Sequence, residues 1–183
     1  MKIEQYLDRP DVFEYKVIGA GELPFSPAVR EACERNVCGR YGKSWMCPPG
    51  VGAMEEWERK IRSFPRAAVF TCKYDLEDSF DFEGMQEGQR RAKQVFTSVA
   101  DELYRSGERC LILGSGGCDL CDSCAYPAPC RFPDRASPSV EACGVNVMLL
   151  AKQIGVRYNN GPNTVTYFCV VLFDAEAGKK NEE

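Results

Sequence analysis

Gln86-Glu-Gly-Gln-Arg-Arg-Ala92-Lys-Gln-Val95-Phe96-Thr-Ser-Val99-Ala-Asp-Glu-Leu103-Tyr-Arg105 is followed, three residues on, by Arg109-Cys-Leu-Ile-Leu113 and Gly114-Ser-Gly-Gly117. Ala92, Val95, Phe96, Val99 and Leu103 return at three- and four-residue spacing, which predicts one long amphipathic helix from about 86 to 105. The apolar run at 109–113 reads as a short strand, and the glycines after it end that strand in a loop.

Outward from this unit the chain alternates between strand and helix patterns. Residues 12–19 alternate as a first strand, and Ser26-Pro27 supplies a cap and a first-turn proline for a short helix into Cys33. Residues 39–52 hold six glycines and prolines and read as an irregular loop, with a second helix over 53–63. Residues 66–75 contain the buried-strand run Ala67-Ala-Val-Phe-Thr-Cys72. Ser137-Pro138 repeats the cap-and-proline signal and opens a helix to about Ile154, and Thr164–Phe173 reads as a final buried strand. The polar residues 174–183 read as a frayed tail. The expected architecture is a single mixed α/β domain over 1–183. It is an α/β sandwich with two cysteine-rich cluster-binding loops, 33–52 and 114–137, at one end.

Composition sets the chemistry. The chain has 183 residues, a net charge of −4, eleven cysteines and no histidine. Without histidine there is no Ser-His-Asp or Cys-His nucleophile and no Rieske-type ligation. The acidic balance lacks the basic patch of nucleic-acid binding. No apolar stretch approaches the roughly 20 residues of a membrane span, and the first residues lack a signal-peptide core, so a cytoplasmic protein is expected. In that reducing setting many cysteines point to metal ligation or catalysis rather than disulfides.

The cysteines themselves fall into groups. Cys118-Asp-Leu-Cys121-Asp-Ser-Cys124, then Cys130 after five residues, resembles the two-residue spacings of ferredoxin runs, which set thiolates on neighbouring corners of a cubane 4Fe-4S cluster. Ferredoxins place three residues before the fourth cysteine and a proline directly after it; here the proline is Pro133. Gly116 and Gly117 let the backbone approach a cofactor, and Arg131 and Arg135 can offset its negative charge. Zinc held by four thiolates is the competing reading. Upstream, Cys33, Cys38 and Cys47-Pro48-Pro49 lead into the glycine- and proline-rich loop, with Lys43 to temper charge and Trp45 to exclude water. Unmetallated thiols are the alternative there. Cys72, Cys110 and Cys169 sit in apolar strands as small hydrophobes. Cys143 fits either the core face of its helix or a ligand position beside Gly144. Leaving out the three strand cysteines gives eight thiolates, enough for two four-iron clusters.

Tyr41-Gly-Lys43, Cys47-Pro-Pro49, Cys118-x2-Cys121-x2-Cys124, Pro129-Cys-Arg131-x-Pro133 and Pro138-Ser-x-Glu-Ala-Cys143-Gly144 together resemble domain-of-unknown-function family 2284, predicted metal-binding proteins found largely in anaerobic bacteria and archaea. The resemblance spans roughly 25–173 and implies metal binding at these cysteines. It implies no particular reaction. Three functions fit: an electron carrier with one or two 4Fe-4S clusters and an unidentified redox partner protein, an enzyme with an open cluster site acting on a small molecule, or a zinc-stabilised binding module. In the second, proton transfer would fall to Asp119, Asp122, Glu141, Tyr126 or a lysine, none of which is singled out by sequence.

Overall fold

The computed structural model describes residues 1–174. A four-stranded antiparallel sheet has the order β1-β2-β4-β3, from β1 (Glu14–Gly19), β2 (Arg66–Asp75), β3 (Cys110–Leu113) and β4 (Thr164–Phe173). Five helices accompany it: α1 (Glu4–Leu7), α2 (Pro27–Glu34), α3 (Met54–Arg62), α4 (Phe82–Ser106) and α5 (Val147–Ile154). Because β2 and β3 both run opposite to β4, they are parallel to each other, and α4 carries the chain from one to the other across β4.

Both faces of the sheet are covered. On one, Ala68, Phe70, Cys72, Ile112, Cys169 and Val171 pack against Ile3 and Leu7 at α1 and against Ala92, Val95, Val99 and Leu103 of α4. On the other, Ala67, Val69, Leu113, Val170 and Leu172 pack against Ile61 of α3 and Val147, Leu150 and Ala151 of α5. Antiparallel strands commonly leave one face wet and so alternate in polarity. Here the two middle strands are apolar on both faces, and their sequences are continuous hydrophobic runs.

Two local readings change. Helix α4 starts at Phe82, four residues before the expected start at Gln86, because the Asp81 carboxylate accepts the Gly84 N–H at 2.8 Å and caps it there. The helix expected from Ser137 to Ile154 is broken. Gly114 and Ser139 form a bridge, Glu141–Cys143 makes one tight turn, and Gly144 turns the chain at φ 92°. Helix α5 then begins afresh behind Asn146, whose side chain accepts the Leu149 N–H at 2.9 Å. The tail expected over 174–183 lies outside the described residues apart from Asp174, which Arg109 holds at 2.8 Å. No helix among the described residues is long and apolar enough to cross a membrane.

Candidate metal centre

The second cysteine loop leaves β3 at Gly114 and returns at Ser139, closed at its base by Gly114 N–H to Pro138 O at 2.9 Å and Val140 N–H to Gly114 O at 3.1 Å. Between these ends, Cys118, Cys121, Cys124 and Cys130 all line one small cavity of about 20 Å³, walled also by Trp45 and Phe132. A loop with no secondary structure of its own thus turns four thiols towards a common space. Among the described residues, no three Cys, Asp or Glu side chains close on a point that one metal ion could occupy.

Backbone donors surround these sulfurs. Burial pushes the Cys118 thiol up, against the N–H groups of Leu120 and Ser137. At Cys124 burial also acts upward, but the backbone N–H groups of Tyr126, Trp45 and Ala125 and the Ser44 hydroxyl outweigh it and bring the thiol below its ordinary value. Donors aimed at a sulfur favour its anionic form, the form that binds metal.

The first cysteine loop packs against the second. Cys33 lies half-buried in the last turn of α2, Cys38 is exposed and Cys47 is buried. Burial raises Cys33 and Cys47, and Cys38 lies close enough to both to raise them further, whereas Arg30 lowers Cys33 and Arg40 lowers Cys47. These three thiols are neighbours. The Ser44 hydroxyl serves Cys47 as well as Cys124, so it stands between the two cysteine groups. Trp45 Nε1–H donates to Ala128 O at 2.8 Å, and Arg40 pairs with Asp119 at 2.9 Å. At Gly50 a Cβ would stand 2.6 Å from Ser44 O and 2.9 Å from Tyr126 Cε2, so only glycine lets the loops approach this closely.

The remaining expected residues have varied surroundings. Gly116 takes the left-handed conformation at φ 73°, and a Cβ on Gly117 would meet Arg40 Cδ at 2.8 Å. Arg131 braces the loop through Ser123 O at 3.0 Å, and Arg135 pairs with Asp101 at 2.5 Å. Lys43 is exposed, and Arg40 is the cation beside Cys47 and Asp119. Cys143 is buried in the core with Leu23, Ile61 and Val145, where burial drives its thiol far up. Arg30 packs between it and the first loop, donating to Ala142 O and to Gly52 O at 2.6 Å. Sequence reading did not single out Arg40 or Ser44. The Ser44 Oγ accepts the Met46 N–H at 3.2 Å, a local turn legible from a serine two residues before Met46. The role of Arg40 depends on residues 78 positions away, which no local pattern marks.

The model of domain-of-unknown-function family 2284, described as a predicted metal-binding protein, matches residues 16–173, and the chain belongs to that family. No curated protein and no solved structure matches the chain.

Proposed function

We propose that this family member holds a 4Fe-4S cluster at Cys118, Cys121, Cys124 and Cys130 and acts in electron transfer with a redox partner protein. The observation that carries the reading is the common cavity of those four cysteines, in the two-residue spacings of ferredoxin runs. An all-thiolate donor set with N–H groups directed at sulfur suits iron–sulfur ligation, where hydrogen bonds and burial tune the potential. When bound, such a cluster accepts and donates single electrons. The protein's part is to present the thiolates, to supply the Tyr126, Trp45 and Ala125 N–H groups and the Ser44 hydroxyl at Cys124, and to shield the site with Trp45 and Phe132.

Cys33, Cys38 and Cys47 make a second thiolate group, proposed as the seat of a second cluster. With Cys143 packed into the core, that group has three close cysteines, and a fourth ligand must come from Cys143 by rearrangement or from outside the thiols. This favours, as a second reading, an enzyme whose open iron position binds a small molecule. Anaerobically purified protein is expected to be brown and to contain iron and acid-labile sulfide, at about four of each per cluster. Colourless protein carrying stoichiometric zinc would overturn both readings in favour of a zinc-stabilised module.

A further inference from the structure

Behind the Cys118 backbone lies a second, much larger cavity of about 470 Å³, between α4 and the Gly114–Gly117 loop. Its volume is in the range of small-metabolite sites. Phe96, Ala100 and Tyr104 supply an apolar wall. Arg40, Arg90, Lys93 and Arg135 line it against only two carboxylates, Asp101 and Asp119, in a chain whose net charge is −4. This concave surface is therefore opposite in sign to the molecule as a whole, which concentrates anions there.

The cations are arranged unequally. Arg135 is matched by Asp101 at 2.5 Å and Arg90 by Glu87 at 2.5 Å. Arg40 and Lys93, by contrast, share the single carboxylate of Asp119, one residue after Cys118. One positive charge is left over at the cysteine end of the cavity. The loop beside them leaves room for one of the pair: a Cβ on Gly117 would lie 2.8 Å from Arg40 Cδ, and one on Gly116 3.1 Å from Gln89 Nε2. Among the described residues, no backbone carbonyl accepts the Gly116 or Gly117 N–H. Uncommitted N–H groups in a turn with a left-handed residue are the material of an anion nest.

We propose that this cavity binds a small organic anion, a carboxylate or phosphate monoester on an aromatic or aliphatic body. Its charged group is held by Lys93, Arg40 and the Gly116–Gly117 turn, and its body lies on Phe96 and Tyr104. This deepens the small-molecule reading of the cysteine centre and rests on it for the ligand's role, though not for its binding. The test is calorimetric titration of the full chain, purified anaerobically, with phenyl phosphate, benzoate, neutral benzamide and inorganic phosphate, alongside iron and sulfide analysis of the same samples.

At least one aromatic anion is expected to bind with a Kd of about 1 mM or lower. Benzamide is expected to bind about tenfold more weakly, and Lys93→Met to weaken the anion about tenfold. Thr97→Trp, which fills the cavity from an exposed α4 position, is expected to abolish binding. Phenyl phosphate and benzoate separate the two headgroups. Equal binding of benzamide, inorganic phosphate matching phenyl phosphate, or anion binding indifferent to both variants would overturn the proposal. Iron-loaded protein that binds none of the probes overturns this site alone, whereas anion binding by iron-free protein supports it and overturns the cluster instead.

Discussion

Trp45 meets Tyr126 edge to face, with ring centroids 5.0 Å apart and planes at 77°, and so joins the two cysteine loops across a sequence gap in which the whole sheet except β1 and β4 is built. Its indole N–H adds the bond to Ala128 O. Edge-on rings put the positive rim of one on the negative face of the other, worth about 0.5–1.5 kcal/mol beyond the area they cover. The backbone N–H groups of both residues also donate to the Cys124 sulfur, so the same contact that fixes the loops holds donors at that thiol.

Trp45→Ala should therefore lower the unfolding free energy by about 1–3 kcal/mol, from the ring contact and the hydrogen bond together. Trp45→Phe keeps an aromatic rim and should lose only about 1 kcal/mol. Urea titration of the two variants measures the difference. In metal-loaded protein, the alanine variant should also lose its visible absorbance faster in air than the phenylalanine one. Equal effects of the two substitutions would remove the ring contact as the link between the loops.

The glycine at the loop junction makes a sharper case. A Cβ at position 50 would lie 2.6 Å from a backbone oxygen, which cannot swing aside as a side chain would. Gly50→Ala should destabilise by about 1–3 kcal/mol and reduce metal content, since it parts Ser44 from Tyr126. Gly21→Ala is the control. It has nothing within 4 Å of its Cβ position, so its stability should be unchanged or slightly raised. Thermal unfolding of both variants reads the contrast.

These contacts also explain what the sequence could and could not reveal. The bounds of β2 and β4 are visible in the chain because each is covered on both faces, giving apolar runs with abrupt polar ends. The stripe of α4 is visible for its buried stretch only: Phe82, Glu83, Gly84 and Met85 add no buried face, so its first turn leaves no periodic trace. The break at Gly144 was masked by Val140, Val147, Leu150 and Ile154, whose spacing suits one helix although two separate segments carry them. Cysteine spacing marked out the 118–130 group because its ligands are local. The meeting of Arg40 and Lys93 at Asp119 is a matter of tertiary packing, set by where α4 and the first loop come to lie, and no spacing within either segment encodes it.

Thiol titration distinguishes the cysteines in metal-free protein. The donors around Cys124 hold it below its ordinary value, whereas burial holds Cys33, Cys47 and Cys118 above theirs. In the pH window just below the ordinary thiol value, the folded chain has released the Cys124 proton while the unfolded chain still holds it. Cys124 therefore contributes stability that is present above the ordinary value and lost as pH falls through the depressed one. The raised thiols contribute in the other sense, being most favourable at low pH and weakening as pH rises past the ordinary value. Brief iodoacetamide labelling at neutral pH, mapped by mass spectrometry, should modify Cys124 well ahead of Cys118, Cys33 and Cys47, and leave Cys143 and Cys169 unmodified. In Ser44→Ala, Cys124 should label more slowly, because one of its donors is gone. Labelling of Cys118 before Cys124 would contradict the donor arrangement.

The two cysteine groups can be separated by stoichiometry. Cys33, Cys38 and Cys47 are drawn together by the first loop, and Cys118, Cys121, Cys124 and Cys130 by the second, with Ser44 reaching Cys47 and Cys124 alike. If each holds its own cluster, anaerobic wild-type protein should contain about eight irons, and serine at Cys33, Cys38 and Cys47 together should leave about four. Serine at Cys118, Cys121 and Cys124 together should remove the other four, because a single remaining thiolate cannot hold a cubane while the upstream group keeps its ligands. Cys72→Ser and Cys110→Ser should leave the iron count unchanged, since both lie in strands of the sheet away from either loop. An iron content that falls to zero with either loop's variants would mean one centre built across both loops, with Ser44 inside it rather than between two.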